Sequence, residues 1–187
     1  MRVKSLFLRL WRLMVRPADE WEQIKSSLPH VDVARSFVYP LTAICGVVIL
    51  LGQLLRGEWG GGHFFSSLLS MLVRCLALLI TYFLVSWSVN QLRVRYLHQK
   101  EDMLLSSTLT GFSMALTFAL TLFVSLFPEL VLFKWILQFY VAYIVWNGVR
   151  AIMDVEENSQ MTFTLLVSAL LLIVPFVVYF VFDKLVL

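Results

Sequence analysis

Charge is what this chain has least of. Only 14% of its 187 residues are Asp, Glu, Lys or Arg, and none of the 12 acids falls inside a long apolar run. A water-soluble domain of this length covers its surface with far more charge, so the scarcity excludes a soluble globular protein. Histidine is also rare. His30, His63 and His98 are scattered among different loops, no His-Glu-x-x-His pattern occurs, and no shared metal site follows from them. There is no phosphate-binding glycine loop and no Gly-x-Ser-x-Gly elbow. The run Gly60-Gly61-Gly62 has no lysine after it and reads as a flexible turn. With no acids, bases or nucleophiles gathered at one depth, the sequence predicts a non-enzyme, without cofactor or metal. The two cysteines, Cys45 and Cys75, both lie in apolar runs, where a thiol behaves as a small core hydrophobe; no disulfide is expected.

What the chain has in abundance is apolar surface: 60% of residues, with a mean hydropathy of +0.84. A membrane-spanning helix needs about 20 mostly apolar residues to cross about 30 Å of hydrocarbon. Five stretches qualify, at about 36–55, 64–89, 103–127, 130–149 and 162–182. They are long enough for helices and lack the alternation of a barrel strand. The expected fold is therefore all-α, a polytopic bundle of five transmembrane helices. Pro128 leaves almost no loop between the third and fourth spans and predicts a tight antiparallel hairpin there.

The first 35 residues read differently from the transmembrane domain at 36–187. Arg2, Ser5, Arg9, Arg12 and Arg16 recur at steps of three and four, while Val3, Phe7, Leu10, Trp11 and Met14 lie away from them. That pattern is a basic amphipathic helix, expected at the interface with its basic face on anionic lipid headgroups. A helix packed on another protein carries the same pattern. The arginines interrupt any apolar run of a signal peptide, and no small-residue cleavage site follows them. After Pro17, the acids Asp19, Glu20 and Glu22 surround Trp21 in the first turns of a second short helix, where negative charge suits the helix dipole.

Basic residues also set the expected orientation. With the N-terminus inside, eleven lie on the cytoplasmic side, and Arg56, Lys134 and Lys184 on the other, with Arg74 left inside the second span. Five spans then put the C-terminus outside. Basic residues beside apolar spans mark a membrane surface, and nucleic acid is not an expected partner.

Three groups of polar residues stand out within or between the spans. Ser70, Arg74 and Thr81 share one helical face of the second span. An arginine in hydrocarbon costs roughly 2.5–3.5 kcal/mol, so Arg74 either contacts a lipid headgroup or anion in a polar groove, or snorkels to the outer surface. Glu58, Glu129 and Asp183 are the acids on its side. The third span carries Ser106, Thr110, Ser113 and Thr117 on a hydroxyl stripe, with Gln138 and Asn147 on the fourth span as companions. Such residues let helices approach and hydrogen-bond across an interface; a solute path is the other use of the same stripe. In the last loop, Asp154, Glu156 and Glu157 are placed to pair with Arg93, Arg95 or Lys100, or to sit in a solvated turn.

The stretch Pro17-Ala-Asp-Glu-Trp21-Glu-Gln-Ile24, then Ser36-Phe-Val-Tyr39-Pro40-Leu41 opening the first span, resembles the bacterial branch of the Yip domain family. The stretch from Tyr143 through Asn147-Gly148 to Glu157, leading into the fifth span, resembles it too. The resemblance implies a five-span fold in the bacterial inner membrane with a cytoplasmic N-terminus. Eukaryotic relatives bind Rab-type GTPases and organise vesicle membranes; this chain lacks their Asp-Leu-Tyr-Gly-Pro motif, so GTPase binding is not carried over. The expected role is a scaffold that docks partner proteins or further copies of itself at the cytoplasmic face. The alternative is a transporter, channel or lipid-translocating protein using the polar faces of the second and third spans. A continuous hydrated groove holding Arg74 and the Thr117 face would favour that alternative, and a dry bundle with those groups hydrogen-bonded to each other would favour the scaffold.

Overall fold

A computed structural model describes residues 3–28, 32–56 and 61–186. Among the described residues every regular element is helical: α1 (Val3–Val15), α2 (Pro17–Ser27), a π turn (Ala34–Val38), α3 (Tyr39–Leu55), α4 (Gly61–Tyr96), α5 (Met103–Ser113), α6 (Ala115–Leu126), a 3-10 turn (Pro128–Leu130), α7 (Val131–Gln138), α8 (Val141–Ile152) and α9 (Glu157–Val186). Four continuous spans are long and apolar enough to cross a membrane: Ala34–Leu55, Phe64–Tyr96, Met103–Leu126 and Glu157–Phe182.

The fourth stretch, expected as a span over about 130–149, is helical but bent. Pro128–Gln138 and Val141–Ile152 meet at a bend of 42°. No proline or glycine causes it. The backbone tightens instead: Phe139 N donates to Ile136 O, Tyr140 N to Leu137 O, Ala142 N to Phe139 O and Tyr143 N to Tyr140 O. These three-residue bonds replace the usual four-residue ladder and turn the axis.

Proline sets two other junctions. Pro40 has no N–H to give, and the helix opens on a π turn in which Tyr39 N reaches back to Ala34 O. Phe127, with φ −127° and ψ 81°, is held extended by Pro128 and ends α6, so the chain reverses at once into the 3-10 turn.

The third span, α5 and α6, is the centre of the bundle. Phe112, Met114, Ala115 and Phe118 have no exposed surface. Around it α4 packs on α3, α5 and α9, α3 packs on α6, and α8 packs on α5 and α9. The N-terminal hairpin joins this core: α1 lies against α6 and α2 against α8. Trp21 is fully buried, donates its indole N–H to Ile144 O at 3.0 Å, and meets Phe112 edge-on. Gly148 makes room for it, since a Cβ there would stand 2.7 Å from the Trp21 ring and 2.6 Å from Leu109. One hydrophobic cluster thus runs from Leu6 on α1 to Leu171 on α9.

Candidate functional site

Four helices each give one stripe to a shared cavity. The stripes are Arg74, Ala77, Leu78 and Thr81 on α4; Thr117, Thr121 and Val124 on α6; Val131, Lys134, Trp135 and Gln138 on α7; and Leu172, Pro175, Phe176 and Tyr179 on α9. All four repeat at steps of three, four and seven, which is one face of a helix. The cavity measures about 410 Å³. Its position follows from Pro128, because the tight reversal brings α7 back over α6 and faces Gln138 with Thr117.

Two cations lie in this space. The Arg74 guanidinium stands 5.9 Å from the centre of the Tyr179 ring, a cation–π distance. Lys134 lines the same cavity from α7. Among the described residues no acid lines the cavity and none is paired with either cation. Glu58 and the side chain of Asp183 lie outside the described residues; Glu129 is in the 3-10 turn and is not part of the wall. Gln138 donates Nε2–H to Thr117 Oγ1 at 2.9 Å, while its Oε1 is buried and unpartnered. Trp135 and Phe176 meet edge-on at 6.0 Å.

The structure therefore brings together Arg74, Thr81, Thr117 and Gln138. Ser70 points elsewhere, accepting a hydrogen bond from Gln53 of α3 at 3.3 Å. The other stripe hydroxyls mostly stay within their own helix: Ser106 donates to Asp102 O and Thr110 to Ser106 O, while Ser113 Oγ is buried without a partner. Asn147 likewise donates to Tyr143 O one turn back on α8. Of the polar groups expected to bond between helices, Thr117 and Gln138 do so. Ser106, Thr110 and Asn147 bond back because a hydroxyl or amide in an apolar bundle finds its nearest acceptor in the carbonyl four residues earlier. Lys134, Trp135 and Tyr179 were missing from the sequence candidates. Lys134 stands four residues before Gln138, and that spacing puts both on one face.

On the basic face of α1, Arg9 turns inward. Its Nε donates to Glu20 Oε1 at 3.0 Å, with Glu20 only 2% exposed, and its guanidinium lies 5.5 Å from the Phe112 ring centre. Arg12 reaches the other carboxylate oxygen at 3.8 Å and is half exposed; Arg16 is exposed, and Arg2 lies outside the described residues. The helix has two apolar faces rather than one. Leu6, Leu10 and Leu13 are buried against the bundle, while Phe7, Leu8, Trp11 and Val15 face outward, Trp11 at 62% exposure.

At the far end of α4 a second arginine has full company. Arg93 donates from Nε and Nη2 to Gln99 Oε1 and from Nη1 to Asp102 O. Asp102 N donates to Asn90 Oδ1, and Asp102 Oδ1 caps α5 by accepting from Leu105 N. Gln99 in turn donates to the carbonyl of Asp154, so the last loop is tied in through its backbone rather than through its acids.

These features define a polytopic helical membrane protein with a cationic cavity between its spans. The chain belongs to the Yip1 domain family, whose pattern matches residues 11–179. No curated protein and no solved structure matches it.

Proposed function

We propose that this Yip1-domain protein is a non-enzymatic membrane protein that binds an anion in the cavity between α4, α6, α7 and α9. The observation that carries this reading is the presence of Arg74 and Lys134 in one largely apolar cavity with no acid among the described residues of its wall. Two like charges so placed repel each other and are costly to desolvate, and a bound anion offsets both costs. This is the lipid- or solute-handling alternative, put first because Arg74 and Thr117 share one cavity. With basic residues inside, the N-terminus and the Arg93 end are cytoplasmic and the cavity opens in the outer half of the bilayer.

The test is thermal unfolding of the purified protein with and without phosphate-bearing compounds, both water-soluble and lipid. Stabilisation by at least one of them in the wild type, reduced in Arg74→Lys and lost in Arg74→Leu, supports the reading. Equal responses in all three proteins would sink it.

A second reading, docking of partner proteins at the cytoplasmic face, is favoured by the outward side of α1, where Arg12 and Arg16 flank Leu8, Trp11 and Val15. A photoreactive residue in place of Trp11 decides it: adducts with lipid alone would make α1 an interfacial anchor, and adducts with a protein would favour docking.

A further inference from the structure

The walls of the cavity narrow the kind of anion. We infer that the ligand is a phosphate-bearing membrane lipid, its phosphate held between Arg74 and Lys134 and its acyl chain leaving between α7 and α9. This rests on the anion-binding reading above and adds the substrate class and its route.

Depth is the first support. Arg74 and Arg93 are nineteen residues apart on an unbroken helix, about 28 Å along its axis. That nearly equals the hydrocarbon thickness of about 30 Å. If Arg93 marks one boundary, Arg74 stands at the other, at the level where lipid phosphates lie. Lys134 agrees, since it is only one turn beyond the 3-10 turn that ends the hairpin.

The second support is the side on which the cavity opens. Trp135 and Phe176 both line it and are 54% and 55% exposed, so between α7 and α9 the wall is closed by the edge-on contact of these two rings. That thin seam faces the bilayer. α7 has no buried residue at all, and its outer surface is Leu132, Phe133 and Ile136. By contrast α8 is held firmly, with Trp21 bonded to Ile144 O and the Tyr140 hydroxyl donating to Met14 O at the bend. α7 is thus the wall with least to lose by moving.

Chemistry supplies the third support. Leu78, Val124, Leu172 and Phe176 suit a hydrocarbon chain, whereas a free hydrated phosphate would shed water against them without recompense. The Arg74 fork matches two phosphate oxygens and Lys134 adds a point charge. The unpartnered Gln138 Oε1 is an acceptor for a donor on the headgroup, such as a glycerol hydroxyl.

The experiment uses the full chain, delipidated in mild detergent, with phosphatidylglycerol, phosphatidylcholine and water-soluble sn-glycerol 3-phosphate as probes. Lipid retention is read by native mass spectrometry and stabilisation by thermal unfolding. The wild type is expected to retain phosphatidylglycerol and be stabilised by it, at least about tenfold more tightly than Arg74→Leu. Phosphatidylcholine should bind more weakly and glycerol 3-phosphate should do little. Glycerol 3-phosphate acting as well as the lipid would overturn the lipid assignment and leave an anion site. Equal retention of phosphatidylglycerol by wild type and Arg74→Leu would mark it as boundary lipid and overturn the assignment. No effect of any probe on the wild type would remove both readings. If Arg74→Leu does not fold, Arg74→Lys and Lys134→Gln serve in its place, each expected to lose part of the lipid stabilisation; full stabilisation in both would overturn the assignment.

Discussion

Arg74 and Arg93 stand on one helix, made of the same residue type, in opposite circumstances. Arg93 is only 6% exposed, yet its guanidinium meets a side-chain amide and a backbone carbonyl, and the groups it touches are themselves bonded to Asn90 and to the last loop. Arg74 is less buried and has the Tyr179 ring, a second cation nearby and no carboxylate among the described residues. A buried charge held by three hydrogen bonds is part of the architecture. A charge held beside apolar walls without an opposite charge leaves binding energy unspent in the free protein, which is how a ligand site differs from a structural one.

The contrast predicts unequal mutational effects. Arg93→Leu should have the largest, because it removes three charge-assisted hydrogen bonds, strands Gln99 Oε1 and leaves Asp102 O to the Ser106 N–H and hydroxyl alone. A loss of about 2 kcal/mol is expected, a hydrogen bond to a charged group contributing about 1.5–3 kcal/mol. Reversible unfolding in mixed micelles measures it. A loss below about 0.5 kcal/mol, the scale of ordinary surface substitutions, would show that Arg93 is not structural and erase the comparison.

Arg74→Leu should be much milder in delipidated protein. It removes a desolvated charge and one cation–π contact of about 0.5–2 kcal/mol, so the two effects nearly cancel. The expected change is within about 1 kcal/mol of the wild type, in either direction. A loss as large as that of Arg93→Leu would mean that Arg74 carries a structural contact of its own, and the two ends of α4 would be alike.

Much of this molecule was legible in its sequence because hydrocarbon imposes a simple rule. Apolar runs of sufficient length had to be helices, and they are, four of them unbroken and one bent. Pro128 announced the hairpin between the third and fourth spans. The spacing of Arg9, Arg12 and Arg16 announced a helix, but not that Arg9 would turn inward. That depends on Glu20, which belongs to α2 and meets Arg9 only after the hairpin folds. The break in the fourth span was hidden for a different reason. Residues from Phe133 to Tyr143 contain no proline or glycine, and the bend is made by backbone bonds that leave no mark on composition. Lys134, which the basic-residue count assigns to the outer surface, lines the same cavity as Arg74. The cavity was half legible: Arg74 and Thr81 shared a stripe, and Thr117 with Gln138 suggested a path. The other half needed α7 and α9 placed in space.

Gln138→Leu is the smallest and most discriminating change. The substitution removes the bond from Nε2 to Thr117 Oγ1 at 2.9 Å. Interhelical hydrogen bonds in membranes average only about 0.6 kcal/mol, because the competing states also find partners. The same change removes Gln138 Oε1, a buried acceptor without a partner, and so relieves a cost. The two should offset to within about 0.5 kcal/mol in delipidated protein. With phosphatidylglycerol present the balance changes, since the lipid headgroup is the proposed donor to that oxygen. Stabilisation by lipid should then be smaller in Gln138→Leu than in wild type, while Asn147→Leu, on α8 and bonded within its own helix, should keep it in full. If both variants lose it equally, the effect belongs to the bent span as a whole and not to the cavity. If neither does, the phosphate is held by Arg74 and Lys134 alone, and the headgroup beyond it is not recognised.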